Sequence, residues 1–212
     1  MFLTLLDFLF PRRSLTGEGS AWVTDDELRQ LQSRPVILET AQLRAQGLEC
    51  VDRIVAVADY DSVPMLHQAV HLLKYKKVRG VSEVLGGLLV RASGEGTRCP
   101  TLCPVPLHWI RRFSRGFNQA ELLAGVVGRE RGWEVQNLLK RTRWTGSQVG
   151  RHRRERLIGV KDAFAIRSRM HIPARVILVD DLSTTGATLN ECARALKKAG
   201  VKNVEGLVLA LG

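Results

Sequence analysis

The sequence predicts an α/β protein, a mostly parallel sheet with helices on both faces. Three observations carry that expectation. Apolar runs without polar alternation, IVAVA at 54–58, VILV at 176–179 and LVLAL at 207–211, read as strands buried on both sides. Longer stretches of helical periodicity lie between such runs, and alternation of strand and helix is the pattern of a crossover-connected parallel sheet. Lastly, VILVDDLSTTGATL at 176–189 carries a strand through two acids and a hydroxyl-rich turn into a helix. In open parallel sheets, ligands bind at such places, beyond the carboxyl ends of the strands.

The elements follow in order. MFLTLLDFLFPRR is apolar but short and interrupted by Asp7, so it reads as a short amphipathic helix ending near Pro11. It is neither a secretory signal nor a membrane span, which needs about twenty apolar residues. Residues 11–50 are polar, loop-rich and irregular, with one short helix at TDDELRQLQ capped by Thr24. The expected division is therefore a small segment over 1–50 and a main domain over 51–212. RIVAVADY is a strand, and SVPMLHQAVHLLKYKK is a helix with Leu66, Val70 and Leu73 on one face. GVSEVLGGLLVRAS is a second helix, ended by Gly94 and Gly96. TLCPVP is a short buried strand closing at Pro106, and NQAELLAGVVGRERG is a helix stopped by Gly132. EVQNLLKRT reads as a strand, 144–154 as a mobile loop without hydrophobic period, and RRERLIGVKDAF begins as a helix. RVILVDD is a strand, GATLNECARALKKAG a helix ended at Gly200, and NVEGLVLALG the final strand.

Charge is unevenly spread. The net charge is +11, and the windows 74–79, 111–115 and 140–156 carry +4, +3 and +6, which leaves the rest slightly acidic. Clusters of this kind suit an anionic partner such as nucleic acid or a phosphorylated small molecule, with solvated basic faces as the plainer alternative. Cys50, Cys99, Cys103 and Cys192 form no CxxC pair and suggest no disulfide framework, which fits a reducing, cytosolic setting.

The turn after the acids has a chemistry of its own. Ionised Asp180 and Asp181 only accept hydrogen bonds, and two acceptors at a strand end suit the vicinal hydroxyls of a ribose. Ser183, Thr184, Thr185 and Gly186, leading through Ala187 and Thr188 into the helix, offer hydroxyls and backbone N–H groups to a phosphate. Ribose hydroxyls on one side and a phosphate on the other describe a ribose 5-phosphate. The plainer alternative is an N-cap cluster following a strand that happens to end in acids.

This segment resembles the signature of type I phosphoribosyltransferases, which bind phosphoribosyl pyrophosphate (PRPP). CPVPLHWIRRFSRGFNQAELLA at 103–124, SQVGRHRRERLIGVKDAFAI at 147–166 and LHQAVHLLKYKK at 66–77 are similar to the ComF (ComFC/GntX) family of competence proteins, over roughly residues 50–212. The resemblance implies a type I phosphoribosyltransferase fold preceded by a small irregular segment, PRPP brought with Mg2+, and a role in DNA uptake during natural transformation. It makes Asp180 and Asp181 the catalytic candidates and 183–188 the phosphate turn. Lys74, Arg111, Arg115, Asn118, Gln148 and Arg154 are candidates for the pyrophosphate or a closing loop, with Arg112 and Gln119 beside them.

Members of that family often carry CxxC pairs in a zinc-ribbon-like segment after an apolar start. Here the corresponding positions are Ser14 and Gly17, then Thr24 and Glu27, none of them a thiolate or imidazole, so no zinc is expected. The expected partners are PRPP or a similar phosphorylated ribose, single-stranded DNA and proteins of the competence machinery. Trp109 and Trp144 sit beside basic residues, where an aromatic can stack a DNA base; Trp109 reads better as packed. His67 and His71, four apart on a helix, read as helix surface. Three readings stay open: a transferase with an unknown acceptor, a nucleotide-regulated single-stranded DNA-binding or adaptor protein, and, more weakly, a nucleobase-salvage enzyme.

Overall fold

The computed structural model describes residues 14–15, 23–31, 34–75, 79–94, 100–107, 116–142, 159–168 and 171–212. Its centre is a five-stranded sheet. In chain order the strands are β1 (Val36–Leu38), β2 (Arg53–Asp59), β3 (Thr101–Pro104), β6 (Arg175–Ser183) and β7 (Asn203–Leu211), arranged β1-β2-β7-β6-β3. A second, two-stranded antiparallel sheet pairs β4 (Leu139–Arg141) with β5 (Phe164–Ile166). In the main sheet, β2, β7, β6 and β3 run parallel, and β1 adds an antiparallel edge with Val36 opposite Ala56.

Both faces of the sheet are covered, as continuous apolar strands require. Over one face lie α1 (Asp25–Leu31), α3 (Pro64–Tyr75), α4 (Arg79–Ala92) and α5 (Gln119–Arg131). Their Leu31, Leu66, Leu73, Leu89 and Leu123 pack with Val55, Val57, Ile177 and Val179 of the strands. On the other face α2 (Thr40–Ala45) and α6 (Ala187–Lys198) bring Leu43, Leu189 and Leu196 against Ile54, Ala56, Val176 and Leu178. Leu139 and Phe164 of the small sheet close the same core. Leu66, Val70 and Leu73 are all buried, as the helical spacing of α3 predicts. Asn118 caps α5, and Gly132, at φ +67°, ends it.

The first fifty residues contain more order than their composition suggests. Within the stretch read as irregular, Val36–Leu38 joins the main sheet and Thr40–Ala45 forms a helix entered through a Glu39–Gln42 capping box. Asp52 anchors this region by accepting from Val204 N at 2.9 Å and from Lys197 Nζ at 2.6 Å. Thr40 Oγ1 donates to the Asp52 carbonyl, also at 2.6 Å. The sheet therefore continues across residue 50.

Three other expectations change. The strand read over EVQNLLKRT is confined to 139–141, with Val135 making a single bridge to Leu102. Phe164–Ile166 forms a strand not read from the sequence. Most importantly, β6 does not stop at its acids: it stays paired with β7 as far as Ser183 opposite Leu211. The apolar run LVLAL of β7 continues to supply backbone partners, so the polar residues of β6 remain in the ladder. The apolar start over 1–13, the loop at 144–154 and the first residues of RRERLIGVKDAF lie outside the described residues. Among the described residues, no helix is long and apolar enough to cross a membrane.

Candidate functional site

The carboxyl ends of β2, β6, β7 and β3 lie side by side, so the side chains at those ends form one rim. Successive residues of a strand point to opposite faces, and this separates the two acids. Asp180 pairs in register with Val208, whose side chain lies in the core beneath α6. Asp181 points to the helical face of α3, where its Oδ1 meets Lys74 Nζ at 3.2 Å. Asp181 N donates to Asp180 Oδ1 at 2.8 Å. The pair is not the twin-acceptor surface expected from the sequence: one carboxylate is held by a lysine on one face, and the other, half-buried, turns to the opposite face.

Their electrostatics differ accordingly. Burial, and then the neighbouring Asp181 carboxylate, push Asp180 up to about 7, against a smaller opposing pull from its hydrogen bond and from Lys74 and Arg141. Arg141, on β4, lays its guanidinium 5.3 Å from the centre of the Phe164 ring. This arginine was not singled out from the sequence, where it is one basic residue among many; only the β4–β5 pairing brings it to Asp180. Behind Asp180, Cys103 and Cys192 are fully buried, and burial pushes the Cys103 thiol up to about 12. Both behave as small core residues.

The turn itself has the strand–turn–helix form. Ser183 ends β6 with its carbonyl accepting from Gly212 N at 3.1 Å, and its buried hydroxyl has no partner among the described protein groups. Thr184 is exposed, and Thr185 Oγ1 accepts from Ala187 N at 3.4 Å. Gly186 stands at φ +71° as the N-cap of α6, followed by Ala187 and Thr188 in its first turn. A Cβ at position 186 would drive into the Leu48 side chain. Glycine is therefore required twice, by the left-handed backbone and by the packing of Leu48. Thr184, Thr185 and Gly186 border a cavity of about 200 Å3 shared with Leu48 and with Asp59 at the end of β2. Asp59 was missed as a site residue, although the rule about strand ends applies to RIVAVAD as it does to RVILVDD.

Of the remaining candidates, Asn118 is committed to the scaffold. It is buried, its Oδ1 accepts from Ala120 N at 3.1 Å, and its Nδ2 donates to the Val105 carbonyl at 3.0 Å. Val105 N in turn donates to the Val179 carbonyl, so Asn118 fixes the end of β3 beside the acids of β6. The buried Gln119 leaves its Nε2 without a partner among the described residues. Arg111, Arg112, Arg115, Trp109, Trp144, Gln148 and Arg154 lie outside the described residues.

Where the sequence resemblance expects zinc ligands, Thr24 and Glu27 form a reciprocal capping box at the start of α1. Thr24 N donates to Glu27 Oε2 at 2.8 Å, and Glu27 N donates to Thr24 Oγ1 at 3.2 Å. Ser14 is buried, and Gly17 lies outside the described residues.

Comparison with known proteins agrees with this architecture. The phosphoribosyl transferase domain family matches residues 164–212, which span β5, β6, the turn, α6 and β7. Competence protein F of Haemophilus influenzae is 32% identical over 166 residues, covering 73% of this chain and 70% of its own. The DNA utilization protein YhgH of Salmonella typhimurium is 32% identical over 164 residues, 72% of this chain and 69% of its own. Competence protein ComFC of Streptococcus pneumoniae is 39% identical over 101 residues, 48% of this chain and 43% of its own. The fold is the type I phosphoribosyltransferase fold.

Proposed function

The chain belongs to the ComF family of competence proteins, and from that premise we propose that it binds PRPP, or a related ribose 5-phosphate, in the service of DNA uptake. One observation carries the binding reading. A buried hydroxyl without a protein partner, Ser183 Oγ, sits at a turn whose left-handed glycine opens the twelve-residue helix α6. Buried polar atoms are nearly always paired, so an unpaired one invites a ligand oxygen. The N-terminal end of α6 adds a positive electrostatic field there. Asp180 and Asp181 then serve the sugar from two sides of the strand rather than as one paired surface.

The residues fit a magnesium ion arriving with a diphosphate. Mg2+ keeps several waters and takes only one or two protein carboxylates besides substrate phosphates. Among the described residues, no cluster of three metal-ligating side chains exists, and none is needed. Asp180 would hold the ion, which would favour its charged form. The chemistry the ion supplies is neutralisation of charge on the departing pyrophosphate. Lys74 stands beside the same acids, and the basic segment at 111–115 is the second source of cations for that group.

A second reading is favoured by the Lys74–Asp181 pair. An acid already neutralised by a lysine must exchange that contact when a sugar arrives, which would move α3 and make the site a sensor for a DNA-binding surface. Titration with PRPP and Mg2+ followed by calorimetry tests the common premise. Ser183→Ala should weaken binding at least fivefold with the fold intact, and no binding to the wild type would remove the reading. Release of pyrophosphate, scored with and without single-stranded DNA, separates the enzyme from the sensor.

A further inference from the structure

On the α6 face of the molecule, β5 and α6 enclose a groove of about 330 Å3. Its walls are Phe164, Ala165 and Ile166 of the strand, Ala195 and Lys198 of the helix, and Ala199 just beyond it. β5 pairs with β4 on one side only, so its other edge is open among the described residues. We infer that this groove is a docking site for an acidic, extended segment of a partner protein, which adds to β5 as a third strand beside α6. The inference does not rest on PRPP binding, since the groove shares no residue with the cavity at the turn after β6.

Register decides which backbone groups are free. Thr142 N donates to the Ala163 carbonyl, and Arg167 N donates to the Leu138 carbonyl. In an antiparallel ladder the bonded pairs recur at every second residue. Lys140 and Ala165 lie midway between those two contacts and form the bonded pair inside the small sheet. Phe164 and Ile166 therefore turn their N–H and C=O groups away from β4, and none of the four has a backbone partner among the described residues. Two donors and two acceptors along one edge are what an added strand pairs with. The helix wall limits the occupant. Ala195 and Ala199 are small, and between them and the strand there is room for one extended chain. A second copy would bring its own α6, packed on its own β5, into the same space. Charge then selects the sign. Arg194 is taken up by Asp162 at 2.6 Å and by Glu191 at 2.8 Å, whereas the exposed Lys198 makes no ion pair among the described residues. A carboxylate on the added strand would meet Lys198, a contact that sets direction and register more than affinity.

The test uses the full-length protein and a blocked pentapeptide of alternating glutamate and valine, read by backbone amide resonances and amide hydrogen exchange. In the free protein the amides of Phe164 and Ile166 should exchange about tenfold faster than that of Ala165, which is held by β4. The acidic peptide should shift both resonances and slow their exchange by about the same factor. A lysine–valine counterpart should bind about fivefold more weakly, the upper end for one exposed ion pair. Lys198→Glu, a change at an exposed position, should reverse that preference. A peptide N-methylated along its backbone cannot donate to the edge and should lose binding. Equal binding of the methylated peptide would reduce the groove to an apolar patch and overturn the added strand. Protection of the two amides in the free protein that falls on dilution would place a second copy on the edge. Protection that does not change with concentration would mean that the chain covers the edge itself. Either result overturns the proposal, as does the absence of any shift with the acidic peptide at millimolar concentration, or a Lys198→Glu variant that binds both peptides like the wild type.

Discussion

Asp180 and Asp181 are adjacent in sequence and meet different surroundings. A carboxyl raised to about 7 in the folded protein holds its proton where the unfolded chain, with an ordinary carboxyl value near 4, has lost it. Between those values the native state binds more protons than the unfolded state, so this group's contribution to stability falls as pH rises from about 4 to about 7. Asp180→Asn removes the titration while keeping an oxygen for the Asp181 N–H. Its thermal midpoint should therefore exceed that of the wild type by at least about 2 °C at pH 8, where 1 kcal/mol moves a chain of this size by about 2–4 °C, and should match it near pH 4. Scanning calorimetry across that window checks the sign; a larger wild-type advantage at pH 8 would contradict it. Substitution of Asp181 acts in the opposite direction on stability. Asp181 forms with Lys74 a pair whose side chains are only 11% and 19% exposed, so Asp181→Asn strands a lysine and should cost about 2–3 kcal/mol in denaturant unfolding. Lys74→Met in the same background should recover most of that loss. At this scale the sequence shows both acids and holds their division. The period of two already separates them within the strand read over RVILVDD, and the reading of one shared acceptor surface did not apply it.

At the scale of elements, the long helices and central strands were legible because each carries ten or more residues of consistent pattern, as α3 and α4 do, or an unbroken apolar run, as β7 does. Val36–Leu38 and Phe164–Ile166 were not: three residues hold too little pattern, and both strands exist because a partner strand is in place. The turn after β6 was legible in type, but its glycine has a cause no local pattern shows, since Leu48 lies 138 positions away in the chain. Gly186→Ala should destabilise the protein by about 2 kcal/mol or more through the left-handed backbone and the Leu48 clash. Trimming the partner in Gly186→Ala/Leu48→Ala should relieve the clash but not the backbone strain. Weakened PRPP binding that persists in the double variant would tie the loss to the turn. Full binding in either variant would detach Gly186 from the ligand. The capping box of α1 gives a parallel case. Purified protein should hold no stoichiometric zinc by elemental analysis, and chelators should leave its thermal midpoint unchanged. Thr24→Ala should cost about 1 kcal/mol. A tightly held zinc, or a chelator-sensitive midpoint, would mean that ligands outside the described residues hold a metal.

Across the whole molecule, one end of the sheet gathers the acids and the turn after β6, while the net charge of +11 lies mainly in basic windows that follow β3 and β4 in the sequence. Those windows were legible as charge and not as geometry, since a run of arginines has no hydrophobic period to place it. The arrangement predicts that single-stranded DNA and PRPP are bound through different groups of one end of the protein. Each phosphate neutralised releases condensed counterions, so affinity for a single strand should fall with salt. Four contacts give a loss of about fiftyfold between 50 and 200 mM. Charge reversal of Arg151, Arg153, Arg154 and Arg156 should flatten that slope and collapse DNA binding. PRPP should still bind, because on the proposed reading its phosphate would be met by backbone and hydroxyl groups of 183–188. Ser183→Ala should do the reverse, weakening PRPP while leaving the salt slope for DNA unchanged. Fluorescence anisotropy with a labelled oligonucleotide and calorimetry with PRPP, run on both variants at two salt concentrations, read this cross-over directly. If each variant loses both ligands while circular dichroism reports an intact fold, DNA and PRPP share one set of contacts. The basic windows would then belong to the phosphoribosyl site itself.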